Sequence, residues 1–460
     1  MVFIRGTADS DFLGPFSEND TLVGLAGDDE LVGGRGSDLL QGGNGYDTLY
    51  GYEIRGYASD PGAIDTLEGG SGNDLLVGGN NYSGGGNLIK GGSGDDRILY
   101  NDGSDTVYGG SGNDQIDYIY PYDEDLGGAT GTKWLYGGAG NDYISSASVG
   151  FLDGGSGNDY LVLNVRGTAY GRAGNDGLIG STSGDLLDGG SNDDQLDGNA
   201  GSDTLKGGVG NDTILGGQYY IYGRYLLYSS GGNDLIDGGN GADLLYGGQN
   251  TDEYIYEEFG FADSDTDTLY GGAGHDTLYG EDGGDRLEGN GGNDLIYGGG
   301  TVDFLEIDYG YGDDYIEIVN VDGADTLLGG LGDDTLDGRI GNDILVGVDP
   351  DVLSPGQGEK DVLIGGGDSD WFVLGDATTT FYDDNATTYS EGRLGYATLK
   401  DLTLGVDTIQ LHGTPDNYSL EEVNGSTQIF EASDLLKELI GIAEGVVGLD
   451  LNDTTQFTFV

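Results

Sequence analysis

The chain has 460 residues, 97 of them glycine, with 16 basic and 83 acidic side chains and a formal charge of −67 at pH 7. So little Lys and Arg excludes a nucleic-acid partner, which is held by counterion release to clustered basic residues. The absence of cysteine excludes disulfides and thiolate metal sites, and no apolar run approaches the ~18 residues of a membrane span.

Glycine at this density means either a disordered chain or a repeat, and the two are separated by whether apolar residues keep phase with a period. The opening MVFIRGTADSD has no apolar stretch long enough for a secretory leader, so an export address is expected elsewhere. From there on a nine-residue spacing of aspartates sets in. It runs through Asp20, Asp29, Asp38 and Asp47, then Asp65 and Asp74, then Asp96, Asp105 and Asp114. It returns at Asp176, Asp185, Asp194, Asp203 and Asp212, and at Asp234, Asp243 and Asp252. Further runs are Asp267, Asp276, Asp285, Asp294 and Asp303, then Asp325, Asp334 and Asp343, and last Asp361 and Asp370. Asp142, Asp159 and Asp314 hold the same motif position outside these runs.

Two residues after each aspartate comes an apolar side chain, as at Leu22, Leu31, Leu40, Leu49, Leu67, Leu76, Ile98, Val107 and Ile116. The consensus is GGxGxDxUx, with U apolar. Its glycines permit a tight turn with positive φ, and the xUx triplet is a short strand with one side chain inward. One apolar residue per nonapeptide buries nothing alone, so stability requires stacking. Two nonapeptides close a flattened right-handed coil of eighteen residues, which sets Asp20 over Asp38, Asp29 over Asp47, Asp185 over Asp203, and Asp267 over Asp285 over Asp303. The expected fold is all-β, a right-handed parallel β-roll solenoid.

Carboxylates stacked at the strand spacing of roughly 4.8 Å repel unless a cation lies between them. Calcium suits an all-oxygen cage of carboxylates and turn carbonyls, because it takes six to eight oxygens in tolerant geometry. About 25 ions would add about +50 to the charge and leave a modest negative surface. Zinc is a poor candidate: the two histidines, His275 and His412, lie far apart, and His275 reads as a surface residue. The bare chain is expected to be unfolded and calcium to fold it.

Eleven hexapeptides match GGxGxD without deviation, those ending at Asp38, Asp47, Asp74, Asp96, Asp114, Asp142, Asp159, Asp212, Asp243, Asp276 and Asp334. On these motifs, residues 5–370 resemble RTX proteins, the hemolysin-type calcium-binding repeat family. The resemblance implies a calcium-loaded parallel β-roll, type I secretion through a C-terminal signal, and folding in external calcium. All thirty aspartates named above are then candidate metal ligands.

Insertions rich in tyrosine interrupt the count near 51–64, 115–132, 217–230 and 253–266, with another near 348–358, and the spacing loosens between Ser145 and Gly177. The tyrosines suit packing on the roll, a sugar platform or contact with another molecule. Residues 1–370 form the expected roll and 371–460 a small β-rich cap. In that cap SDLLKELIGIAEG predicts one helix, with Leu435, Leu436, Leu439, Ile440 and Ala443 as its apolar stripe. The closing DLNDTTQFTFV resembles the family's secretion signal.

No HExxH, GxSxG, GxxxxGK[ST] or cysteine nucleophile is present, and the repeats begin within the first dozen residues, so no enzyme is expected. The sequence points to a secreted, calcium-binding structural protein of the cell surface or matrix. An open N-terminal coil would let it self-assemble head to tail into filaments or layers. Two alternatives stay open: a non-catalytic export or accessory module of a secreted RTX enzyme or toxin, and a calcium-dependent glycan-binding adhesin.

Overall fold

The structure is a computed structural model that describes residues 1–52, 63–79, 85–119, 131–217, 221–222, 225–226, 234–240, 244–248, 267–273, 276–281, 286–291, 295–299, 304–306, 315–317, 325–330, 332–348, 350, 355–383, 395–432 and 437–460. It divides into two compact units, residues 1–213 and 214–460.

In the first unit successive strands alternate between two parallel sheets. Thr21–Ala26, Leu39–Asn44, Thr66–Ser71, Leu88–Ser93 and Thr106–Ser111 follow one another in the first sheet. Lys133–Ala139, Gly150–Ser156, Gly167–Ala173, Leu186–Ser191 and Thr204–Val209 continue it. Glu30–Val32, Thr48–Tyr50, Leu75–Val77, Arg97–Tyr100, Gln115–Tyr118, Tyr143–Ser146, Tyr160–Leu163, Gly177–Ile179 and Gln195–Asp197 build the second.

The register aligns the single apolar residue of each repeat. Leu22, Leu40, Leu67, Ile89, Val107, Leu135, Leu152, Ala169, Leu187 and Leu205 make one ladder, and Leu31, Leu49, Leu76, Ile98, Ile116, Ile144, Leu161, Leu178 and Leu196 the other. All are buried, while their strand neighbours are mostly half-exposed or exposed. At about 25 cal/mol per Å2 of apolar area, each rung adds stability only because the rungs above and below cover it.

The coil length varies without loss of register. Asp20 and Asp38 are 18 residues apart, Asp38 and Asp65 27, Asp65 and Asn87 22, Asp114 and Asp142 28, and Asp142 and Asp159 17. The strand register is kept across each of these steps, so the ladder resumes whatever the coil length. The 17-residue coils explain the loosened spacing from Ser145 to Gly177: one arc is a residue short, yet its strands pair like the rest.

The second unit repeats the plan. Trp371–Val373, Thr408–Leu411 and Phe457–Phe459 extend its first parallel sheet, and Val362–Ile364, Ala397–Lys400 and Lys437–Ala443 its second. Tyr418–Val423 and Ser426–Ala432 form an antiparallel hairpin against Lys437–Ala443. Within the insertion near 217–230, Ile221–Tyr222 and Tyr225–Leu226 pair antiparallel. The insertion tyrosines of 53–62, 120–130 and 253–266 lie outside the described residues.

Among the described residues the expected helix near the C-terminus is absent. Leu439, Ile440 and Ala443 lie on the strand Lys437–Ala443, and Leu435 and Leu436 fall outside the described residues. Four consecutive residues, Glu438 to Gly441, are buried there, so the strand is covered on both faces. Such a strand reads as an unbroken apolar run, which periodicity alone does not separate from a buried helix. Gly441 disfavours helix, and a Cβ on it would lie 2.8 Å from Leu374 Cδ1. Among the described residues the only helical turn is the 3-10 segment Pro415–Asn417, and no helix is long and apolar enough to cross a membrane.

Candidate metal centre

Each hexapeptide is a turn whose glycines have separate duties. In Gly109–Asp114, the second and fourth residues, Gly110 and Gly112, have φ of 126° and 122°, and a Cβ on either would strike the matching carbonyl of the preceding coil. Gly109 itself faces the carboxylate. A Cβ there would lie 2.6 Å from the Gly137 carbonyl oxygen of the next coil, and closer still to Asp114 Oδ2. The same oxygen pair lies beside Gly24 (Asp29 Oδ2, Gly42 O), Gly69 (Asp74 Oδ2, Gly91 O), Gly91 (Asp96 Oδ2, Gly109 O), Gly137 (Asp142 Oδ2, Gly154 O) and Gly171 (Asp176 Oδ2, Gly189 O).

The motif aspartates stand in columns at the two edges of the roll. Along most of each column the backbone N–H donates to Oδ1 of the aspartate one coil on. Asp29 donates to Asp47 at 2.9 Å, Asp74 to Asp96 at 2.8 Å, Asp96 to Asp114 at 2.8 Å, and Asp114 to Asp142 at 2.7 Å. The stacking of Asp20 on Asp38, Asp29 on Asp47 and Asp185 on Asp203 is thus as expected. In the second unit Asp234 stacks on Asp267, Asp325 on Asp343, Asp334 on Asp361 and Asp343 on Asp370. Asp65, Asp105, Asp159, Asp176, Asp194, Asp203, Asp212 and Asp276 are buried likewise. Asp243, Asp252, Asp285, Asp294, Asp303, Asp314 and His275 lie outside the described residues.

The second oxygen decides the chemistry. In Asp20, Asp29, Asp47, Asp74, Asp96, Asp114, Asp142, Asp159, Asp176, Asp194, Asp343 and Asp370, Oδ2 is buried and accepts no hydrogen bond. A buried charged oxygen with no partner costs several kcal/mol. Burial accordingly pushes Asp96, Asp142, Asp212 and Asp370 up to about 6, Asp74, Asp114, Asp159, Asp203 and Asp343 to about 7, and Asp194 to about 8, against backbone hydrogen bonds that pull them down. Among the described residues no three acidic or histidine side chains converge on one point. Each cradle offers one carboxylate oxygen per coil beside a glycine carbonyl, an all-oxygen set that fits a hard, tolerant cation such as calcium and not zinc.

Three members of the columns lie outside the aspartates named from the sequence, although Asp11 and Asn87 keep the nine-residue spacing to Asp20 and Asp96. Asp11 opens one column, with its N–H on Asp29 Oδ1 at 2.7 Å. Asn87 takes an aspartate's place between Asp65 and Asp105, and Asp407 continues the column beyond Asp370. Their signal was the following triplet, FLG, LIK and TIQ, with its central apolar residue. The fifth hexapeptide position is also structural. Asn73, Asp95, Asn113 and Asn141 each accept, through Oδ1, the N–H of the fifth residue one coil on. At Asp185 and Asp361 the second oxygen is partnered. Asp185 Oδ2 accepts from Ser181 N–H at 2.6 Å, and Asp361 Oδ2 accepts from the Tyr382 hydroxyl.

No curated protein matches the chain. Among solved structures it resembles a hyperactive, Ca2+-dependent, β-helical antifreeze protein from an Antarctic bacterium, at 19% identity and a TM-score of 0.33, over 73% of this chain and 85% of that one. The model of the RTX calcium-binding nonapeptide repeat matches residues 16–49, 62–81, 82–116, 128–148, 151–164, 170–205, 188–218, 226–254, 261–296, 279–306 and 320–348. With more than half its length matched by that model, and one buried, unsatisfied carboxylate oxygen after another in the matched turns, the chain belongs to the RTX calcium-binding nonapeptide repeat family.

Proposed function

We propose that this is a non-catalytic structural protein of the cell exterior, ordered by about 25 calcium ions held at the motif aspartates named above. The observation that carries this reading is the file of buried Oδ2 atoms of Asp29, Asp74, Asp96, Asp114, Asp142 and Asp176, each beside a glycine carbonyl of the next coil and none accepting a hydrogen bond. A cation between coils offsets the desolvation of each carboxylate and the repulsion along the column. Binding then is folding, because an unfolded chain presents no such cradle. A chain that depends on many calcium ions at once suits a calcium-rich exterior, and freedom from cysteine makes it indifferent to the redox state there. Head-to-tail association into filaments or layers is the assembly this reading includes.

The test is a calcium titration of the metal-free chain, followed by circular dichroism and light scattering. Strand signal rising cooperatively with calcium is the expected result, with scattering reporting assembly in the same sample. A chain fully ordered in excess chelator overturns the proposal, and one that orders but stays monomeric at high concentration removes the assembly.

A further inference from the structure

One edge of the first unit breaks the acidic column while the other does not. Asp96, Asp114, Asp142, Asp159, Asp176, Asp194 and Asp212 run uninterrupted along one edge. On the opposite edge the register position after Asp105 is taken by Lys133, then by Gly150 and Gly167, and acid returns only at Asp185. Lys133 is wholly buried, in a family turn where lysine is the reverse of the expected charge.

The lysine side chain runs to the place where the cation is needed. Its Nζ donates to Asp105 Oδ2 at 2.9 Å, to the Asn101 carbonyl at 2.5 Å and to the Gly103 carbonyl. Asp105 Oδ2 is therefore partnered, unlike the corresponding atom of Asp96 or Asp114 in the facing column. The turn is also rebuilt around it. Its first residue is Tyr100 where the motif has glycine, and that fully buried ring sits 5.3 Å from Nζ. The Tyr100 hydroxyl donates to the Ser145 carbonyl at 2.6 Å and accepts from Ala147 N–H at 3.2 Å. In the turn ending at Gly150, one coil beyond Lys133, Ser146 Oγ donates to the Ser148 carbonyl at 2.8 Å.

We propose that the Lys133 ammonium is a tethered substitute for calcium, so that the edge between Asp105 and Asp185 is held without metal while the opposite edge takes it. One positive charge with three donors matches one carboxylate and two carbonyls. A buried carboxylate stripped of its only cationic partner is left uncompensated. This inference rests on the calcium reading of the other turns.

The experiment uses the full chain, with hydrogen exchange read by mass spectrometry across a calcium titration. Peptides covering 98–108 report the lysine turn, and peptides covering 39–50 report an ordinary one. In the Lys133→Met variant the expected result is a rise of about tenfold or more in the calcium needed to protect 98–108, with 39–50 unchanged. An unchanged midpoint at 98–108 beside a calcium-dependent 39–50 overturns the lysine assignment alone. No calcium dependence at 39–50 in the parent chain overturns the calcium reading instead. Should Lys133→Met fail to fold, Lys133→Asp restores the acidic residue to its register position. That variant is expected to protect 98–108 only in calcium, and protection independent of calcium, or none at saturation, overturns the proposal.

Discussion

At the scale of the residue, five of the six positions of GGxGxD answer to a separate contact, and the contacts rank the substitutions. Gly109→Ala forces a Cβ against Asp114 Oδ2 and the Gly137 carbonyl. Overpacking of this kind costs about 1–3 kcal/mol and closes the cradle, so the variant should need more calcium as well as melt earlier. Gly425→Ala is the control. Gly425 has φ of 86° but nothing within 4 Å of its missing Cβ, so it should lose only the about 1–2 kcal/mol of a left-handed residue and keep the parent calcium midpoint. Thermal melts at several calcium concentrations separate the two effects, and equal calcium shifts in both variants would refute the assignment of Gly109. Asp114→Asn divides the carboxylate itself. Its Oδ1 still accepts the Asp96 N–H, as Asn87 does for Asp65, but the anionic oxygen is gone. The fold should persist in high calcium with weaker binding, read as a raised midpoint in the same titration.

At the scale of the element, the ladder is the unit of stability. Leu135 stacks between Val107 and Leu152 and is fully buried. Leu135→Ala should cost about 2–5 kcal/mol in saturating calcium, measured by denaturant unfolding. A loss near zero would mean that the turns alone hold the roll. This is also the scale at which sequence is most and least legible. The xUx triplet declares its strand because its period is two and its burial is one in three, as in Thr48–Tyr50. The coil is harder to read, because an aspartate count assumes that every residue between strands belongs to the coil. The 22-residue step from Asp65 to Asn87 and the 17-residue steps through Asp159 and Asp176 break that assumption. The strand Lys437–Ala443 fails for another reason: its cover on both faces is tertiary and leaves no alternation in the sequence. Lys133 was unreadable too, since what makes it significant is the Asp105 carboxylate one coil before, and only stacking brings the two together.

At the scale of the whole molecule, the columns make metal, protons and folding compete for the same oxygens. In the metal-free fold burial raises Asp74, Asp114, Asp159 and Asp203 to about 7 and Asp194 to about 8, while the unfolded chain keeps them near 3.8. The fold therefore holds more protons than the unfolded chain through the whole interval between those values. By linkage its stability falls as pH rises across that interval, beginning above about pH 4 and completing near pH 8. The formal charge of −67 at pH 7 adds repulsion of the same sign. In chelator the chain should accordingly be more ordered at pH 5 than at pH 8, the reverse of ordinary acid denaturation. Where the metal-free fold persists, at pH 5, calcium displaces those protons, whereas the unfolded chain at pH 8 is already ionised, so protons should be released on binding at pH 5 and not at pH 8. Calorimetry in two buffers of different ionisation enthalpy counts the released protons, and circular dichroism in chelator follows the order. Equal heats in both buffers at pH 5 would mean that the carboxylates are ionised before calcium arrives. The buried oxygens would then owe their stability to something other than a proton awaiting exchange for metal.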